Sequence, residues 1–390
     1  MPLLSQPYRP FFLLAALFGA FSVLQWVVWL AGSGTPGPVG LNPLIWHGHE
    51  MVFGFAAAII AGFLLTAVQN WTGIRAVGPW ALLGLVLLWA LARLGFTHPP
   101  WFPPVALAAL DVAFLPLVAV ALARPLLLTG NRRNLLFLPI LLALALLNGL
   151  IHLDLLGIAL GWGRPALLTA VLMVALLMVL MGGRVIPFFT GRRLPQAEVV
   201  QRPVLHWAAA GLALASTLAW LLIPHNPVTG LVLALTAIVL VLRLSDWRPL
   251  ATRGEPLLWI LHLGYLWLAV GYALLAASAF GLGVPATAGV HALMTGALGA
   301  LGLGMIARVA LGHTGRPLSV GPGMTAAFVL VNAAALTRVV TALGWGGSAL
   351  LHTSAVLWAV AFALYLVHFL PILLRPRADA QPMAGDLRRG

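Results

Sequence analysis

A chain of 390 residues that is 62% hydrophobic and only 7% charged cannot be a water-soluble globule of ordinary composition, and reads as an all-α polytopic membrane protein. Its 21 basic residues are all arginine and set a net charge of +13, yet they lie in short loops rather than in a basic domain, which argues against nucleic acid and for contact with membrane lipid. With no cysteine, disulfides, thiolate-held iron–sulfur clusters, attached c-type haem and thiol nucleophiles are excluded, so any metal must rely on His, carboxylate or Met.

Apolar runs of about 20 residues bounded by Pro, Gly or charge predict twelve spans. They fall near 10–31, 44–68, 77–95, 103–123, 134–157, 165–189, 204–223, 227–244, 257–279, 286–310, 322–344 and 350–374. The first run is too long for the apolar core of a signal peptide and lacks a cleavage-type ending, so it is read as an anchor. Sorting the arginines by loop leaves Arg93, Arg164 and Arg338 on one side and the other eighteen on the opposite side. That asymmetry predicts both termini in the cytoplasm. The tail 375–390 is polar and cytoplasmic on this reading.

An internal repeat runs through the chain. His49, Gly54, Gly62, Thr72 and Gly73 are matched without a gap by His291, Gly296, Gly304, Thr314 and Gly315. A third copy, Arg184-Val185 followed by Thr190-Gly191-Arg192, repeats Arg308-Val309 followed by Thr314-Gly315-Arg316, with Leu167 where the histidine would stand. The copies fall on spans 2, 6 and 10. The predicted plan is therefore a single twelve-helix domain over 1–374 built from three four-helix pseudo-repeats, about 1–123, 134–244 and 257–374.

Ionisable groups inside or at the mouth of a membrane helix are costly unless they serve a pathway, ligand or metal. The run Trp46–Thr72 opens on His47, His49 and Glu50. At 100° per residue His47 and His49 point about 200° apart, so each needs a different partner. The repeat puts His49 and His291 at equivalent depth, and two neutral imidazoles on opposite faces of an iron are a usual haem arrangement in helical bundles. His49 and His291 are thus the expected axial ligands of a haem b, with His47 the substitute for His49. Gly54, Gly62, Gly296, Gly299, Gly302 and Gly304 would let backbone approach a flat macrocycle, or simply let helices pack. His47 shares a helix face with Glu50 and Met51, and with His152 it forms a candidate catalytic or second-metal group suited to copper. Arg338 is the expected counter-charge for a haem propionate, whereas Arg93 and Arg164 read as snorkelling arginines. Asp111 and Asp154 join Glu50 as carboxylates placed to move protons. His262 reads as a satisfied buried histidine, and Arg184 and Arg308 as structural carbonyl clamps in preference to lipid headgroup contacts. No Walker loop, nucleophile elbow, HExxH or dinucleotide glycine fingerprint is present.

Several longer blocks carry a resemblance: PYRPFF at 7–12, WHGHEMVFGF at 46–55, AGFLLTAVQNWTG at 61–73, GGRVIPFFTGR at 182–192, LHLGYLW at 261–267 and ARVALGHTGRPL at 307–318. Together they resemble the NnrS family. The resemblance implies a bacterial inner-membrane protein containing haem and copper, associated with nitric oxide and nitrosative stress. The architecture is also similar, more loosely, to subunit I of haem–copper oxidases, with twelve helices in three arcs and haem-ligating histidines on helices 2 and 10. Spans 6 and 7 lack the outer-half histidines that would build that superfamily's copper site. The function expected from sequence is reduction of nitric oxide with electrons from membrane quinol or a periplasmic carrier. A haem sensor or nitric oxide sink without turnover, and a twelve-helix secondary transporter, are the alternatives.

Overall fold

The computed structural model describes residues 2–30, 42–98 and 101–379. Of the predicted cytoplasmic tail, 380–390 lies outside these residues. Among the described residues the chain is helical, with no strand, and twelve helices are long and apolar enough to cross a membrane. These are α1 (Tyr8–Leu30), α2 (Pro43–Thr72), α3 (Pro79–Thr97), α4 (Pro104–Leu128), α5 (Arg132–Leu155), α6 (Gly163–Arg193), α7 (Pro203–Leu222), α8 (Pro227–Asp246), α9 (Pro256–Ala279), α10 (Ala286–His313), α11 (Pro322–Ala342) and α12 (Gly347–Leu374). The predicted spans agree with them to within a few residues.

Local chemistry sets the boundaries. Seven helices open on proline near the first helical position, where the missing N–H is not needed. Asn42 and Asn226 cap α2 and α8, their side chains accepting from Leu44 N and Val228 N at 2.9 Å. The repeated Thr-Gly pair is a helix-end device. Thr72, Thr190 and Thr314 each donate to the carbonyl four residues earlier. Gly73 and Gly315 then adopt φ of 72° and 70°, a left-handed turn that a side chain would strain. In the α6 copy the helix runs on to Arg193 instead.

The three most buried spans are α2, α6 and α10, the helices that carry the repeat, so the remaining helices surround them. α1 packs against α12, which closes the ring. Arg9 fastens that closure by donating to the carbonyls of Leu373 at 2.7 Å and Arg375 at 2.6 Å. The start of α1 and the close of α12 therefore meet on one side of the bundle, the terminal end; the opposite side is the distal end. α2 and α10 each widen into a π-helical turn, Glu50–Ala56 and Ala292–Leu298, directly after His49 and His291. π-turns of this kind cluster at functional sites, and these two occupy matching positions in the repeat.

The glycines serve helix packing. A Cβ at Gly296 would strike Trp267, at Gly299 Trp358, at Gly304 Ile260, and at Gly62 Phe11 and Phe12. None of these positions faces room for a macrocycle. The tightest approach to neighbouring backbone joins α9 to α10, where a Cβ at Gly264 would lie 2.8 Å from the backbone nitrogen of Leu301. Gly264→Val is accordingly expected to destabilise the bundle by roughly 1–3 kcal/mol, since backbone cannot rotate aside as a side chain can. Thermal unfolding in detergent checks this, and a midpoint equal to wild type would show that the two helices have slack.

Candidate functional site at the distal end

Two neighbouring features occupy the distal end, and α2 contributes to both. The first is a cavity of about 550 Å³ among α1, α2, α6, α10, α11 and α12, within the size range of small-molecule and cofactor sites. His47, His291 and Arg338 line it with an otherwise largely apolar wall that includes Trp26, Met51, Met294 and Trp358. Trp26 stacks on His47 with ring centroids 4.8 Å apart and planes 14° from parallel, which fixes the imidazole's orientation. His47 Nδ1 is buried without a hydrogen-bond partner. His291 donates from Nδ1 to the carbonyl of Thr287 at 2.7 Å, which leaves Nε2 unprotonated with its lone pair available. A backbone acceptor that sets the tautomer is the usual support of a metal-bound histidine. No carboxylate among the described residues pairs with Arg338. The cavity thus offers two imidazoles and a free guanidinium, which suit an iron porphyrin with its propionates.

The second feature is a closed cluster of buried polar side chains from α2, α3, α4 and α5. Arg93 donates to both Glu50 and Asp111. His49 Nδ1 lies 3.0 Å from Glu50 Oε1, and its Nε2 lies 2.8 Å from Asn148 Oδ1 and 3.1 Å from Asp111 Oδ2. Asn148 Nδ2 and His152 Nε2 reach the same Asp111 oxygen at 2.8 and 3.0 Å. Every one of these residues is nearly sealed from solvent, Glu50 at 0% exposure. Since both ring nitrogens of His49 face oxygens, the arrangement is satisfied when both donate, as an imidazolium. Two cations then balance two carboxylates. Such neutrality is what a buried network requires, because an unpaired charge in a membrane interior costs several kcal/mol. One ligand atom each from His49, Asp111 and His152 lies within 4.8 Å of the others, so a divalent metal could replace the proton. Two imidazoles and a carboxylate suit a first-row metal such as copper(II).

The structure therefore brings the expected residues together in a different pairing. His47, not His49, shares the cavity with His291. His152 joins His49 and Asp111, not His47. Glu50 belongs to the cluster, bonded to Arg93 and His49, rather than orienting His47. Arg93 does not snorkel: it is 4% exposed and is the central cation of the cluster. Asp154 lines the cavity mouth and accepts from Gly161 N at 2.6 Å, while Arg164 is exposed at the same rim. Asn148, Trp26 and Met294 do not stand out in the sequence. For Asn148 a signal exists, a lone amide four residues before His152 on one face of α5. Elsewhere the structural readings hold: His262 is bonded to Leu258 O at 3.0 Å, and Arg308 stacks over Phe189 at 4.0 Å.

Comparison with known proteins adds one match. The family described as NnrS protein matches residues 2–377, nearly the whole chain. None of the curated proteins matches it.

Proposed function

The chain belongs to the NnrS family, and from that premise we propose that it is a haem b protein of the nitric oxide response that reduces nitric oxide at its distal end. Membership associates the chain with a membrane protein of that response; the cofactor and the reaction are our reading. The observation that carries it is the cavity in which His47 and His291 each present an unengaged nitrogen beside the unpaired Arg338.

His47 and His291 would hold the haem and Arg338 its propionates. Haem, when bound, would supply one-electron exchange and, with only one of the two imidazoles ligating, an open position for nitric oxide. The apolar wall admits nitric oxide, itself small and apolar, and keeps bulk water from the reacting atoms. Trp26 keeps the His47 ring from rotating. Reduction of two nitric oxide molecules to nitrous oxide and water consumes two electrons and two protons. Quinol or a periplasmic carrier would supply the electrons. His49, two residues from His47 along α2, would hold a proton between Glu50 and Asp111. Glu50 Oε2, buried and without a partner, is the cluster's free acceptor. A copper ion, if the protein carries one, would be held by His49, Asp111 and His152.

The test is an absorption spectrum of the purified protein, oxidised, reduced and with nitric oxide added, followed by headspace assay for nitrous oxide with a reduced quinol. Haem bands that shift with nitric oxide, and nitrous oxide above the uncatalysed background, are expected. Shifted bands without nitrous oxide would make the protein a sink or sensor. A colourless preparation that haem does not reconstitute would overturn the reading.

A further inference from the structure

At the terminal end, away from the distal site, α5, α6, α7 and α8 enclose a second pocket of about 320 Å³ whose charge is strongly one-sided. Arg133, Arg184, Arg202 and Arg243 line it against a single carboxylate, Asp246. That carboxylate is committed to Arg202, with Nε to Oδ2 at 3.0 Å. Among the described residues no carboxylate pairs with Arg133, Arg184 or Arg243.

Arg243 is the deepest of the group, 4% exposed. It is held by neutral groups only, donating to Tyr265 Oη at 2.8 Å and His206 Nδ1 at 3.0 Å. Because His206 accepts, its ring is neutral and its remaining proton sits on Nε2. Arg184 is steadied by Asn134 Oδ1 at 2.8 Å, while its Nε is buried without a partner. Gly183 explains how a guanidinium enters so crowded a place: a Cβ there would coincide with the Arg243 head. The paired glycines of GGRVIPFFTGR thus make room for Tyr265 and Arg243.

A sealed guanidinium with no counter-charge is expensive in a membrane protein, and several arginines converging on one pocket create the field that a bound anion would offset. From this geometry we infer that the pocket binds a phosphate-bearing anion, the phosphate lying among Arg133, Arg184 and Arg243. Two sources share that chemistry, an anionic phospholipid headgroup and free phosphate. The lipid is favoured by the rim, where Trp207 is 65% exposed at the level of the helix ends. Basic pockets between helix ends are the usual seats of anionic headgroups. The inference is independent of the haem reading, since it uses none of the distal residues.

The test is native mass spectrometry of the full chain, delipidated in detergent and offered phosphatidylglycerol, phosphatidylcholine or inorganic phosphate. Phosphatidylglycerol should be retained and phosphatidylcholine shed. Arg133→Gln, on an exposed side chain that leaves the interior intact, should weaken retention about fivefold, and Arg133→Gln with Arg184→Gln about 30-fold. Arg377→Gln, also basic and at the same end but outside the pocket, should change nothing. If inorganic phosphate alone binds, and loses affinity in the same variants, the site is one for free anion, which also supports the inference. Retention of neither probe, equal retention of both lipids, or indifference to the Arg133 and Arg184 changes would overturn it.

Discussion

Purified His291→Ala protein is expected to hold less than about a tenth of the wild-type haem per polypeptide, and His47→Ala the same, whereas His49→Ala should remain coloured. Loss of a supporting hydrogen bond alone weakens metal binding roughly 10–100-fold, so removal of the ligand must cost at least as much. The contrast with His49 carries the weight of the experiment. In the structure His49 has both ring nitrogens occupied by Glu50, Asn148 and Asp111, and it does not line the cavity that would take the haem. His47 and His291 each keep a nitrogen free toward one cavity. Pyridine haemochrome absorbance, divided by protein concentration, reads the result. Should His49→Ala empty the protein of haem while His47→Ala does not, the pairing of His47 with His291 is wrong.

Arg93→Leu should be the most destabilising single substitution at the distal end. It removes one of two cations from a buried group holding two carboxylates, leaving Glu50 and Asp111 to share His49. Breaking a buried ion pair from one side costs about 3–5 kcal/mol, a large part of a typical folding free energy of roughly 5–15 kcal/mol. The double change Arg93→Leu with Asp111→Leu leaves one carboxylate facing one imidazolium and should recover at least half of that loss, because charge balance returns. A double-mutant cycle on unfolding in detergent measures the coupling. If Arg93→Leu costs under about 1 kcal/mol, the cluster is wetter than its burial indicates and its closed charge balance is not what holds it together.

Packing explains why the histidines pair differently from the sequence expectation. His49 and His291 are equivalent in the repeat, and equivalence by itself suggests two groups that face one another. Equivalent positions on two helices need not face one another, because each side chain meets whatever the helices packed beside it supply. His49 accordingly meets Arg93 on the following helix, α3, through their shared partner Glu50, and His291 shares its cavity with Arg338 on the corresponding helix, α11. His47, pointing about 200° from His49, is the residue that reaches the cavity shared with α10. The divergence of the two histidines is therefore readable in the sequence, but which neighbour each meets is not.

What the amino-acid order determined by itself is the number and length of the spans, their helix ends, the segregation of arginine, the repeat on α2, α6 and α10, and the family. All but the last follow from local chemistry: apolar run length, proline and threonine–glycine punctuation, and the cost of moving charge across a bilayer. Tertiary structure alone decided that Arg93 is buried, that Asp111 and His152 belong with His49, and that four arginines meet in one pocket at the opposite end. An isolated arginine in a span carries the same local signature whether it reaches for headgroups or for a carboxylate. Only packing, by bringing α4 and α5 against α2 and α3, supplies the counter-charges that make burial the lower-energy choice.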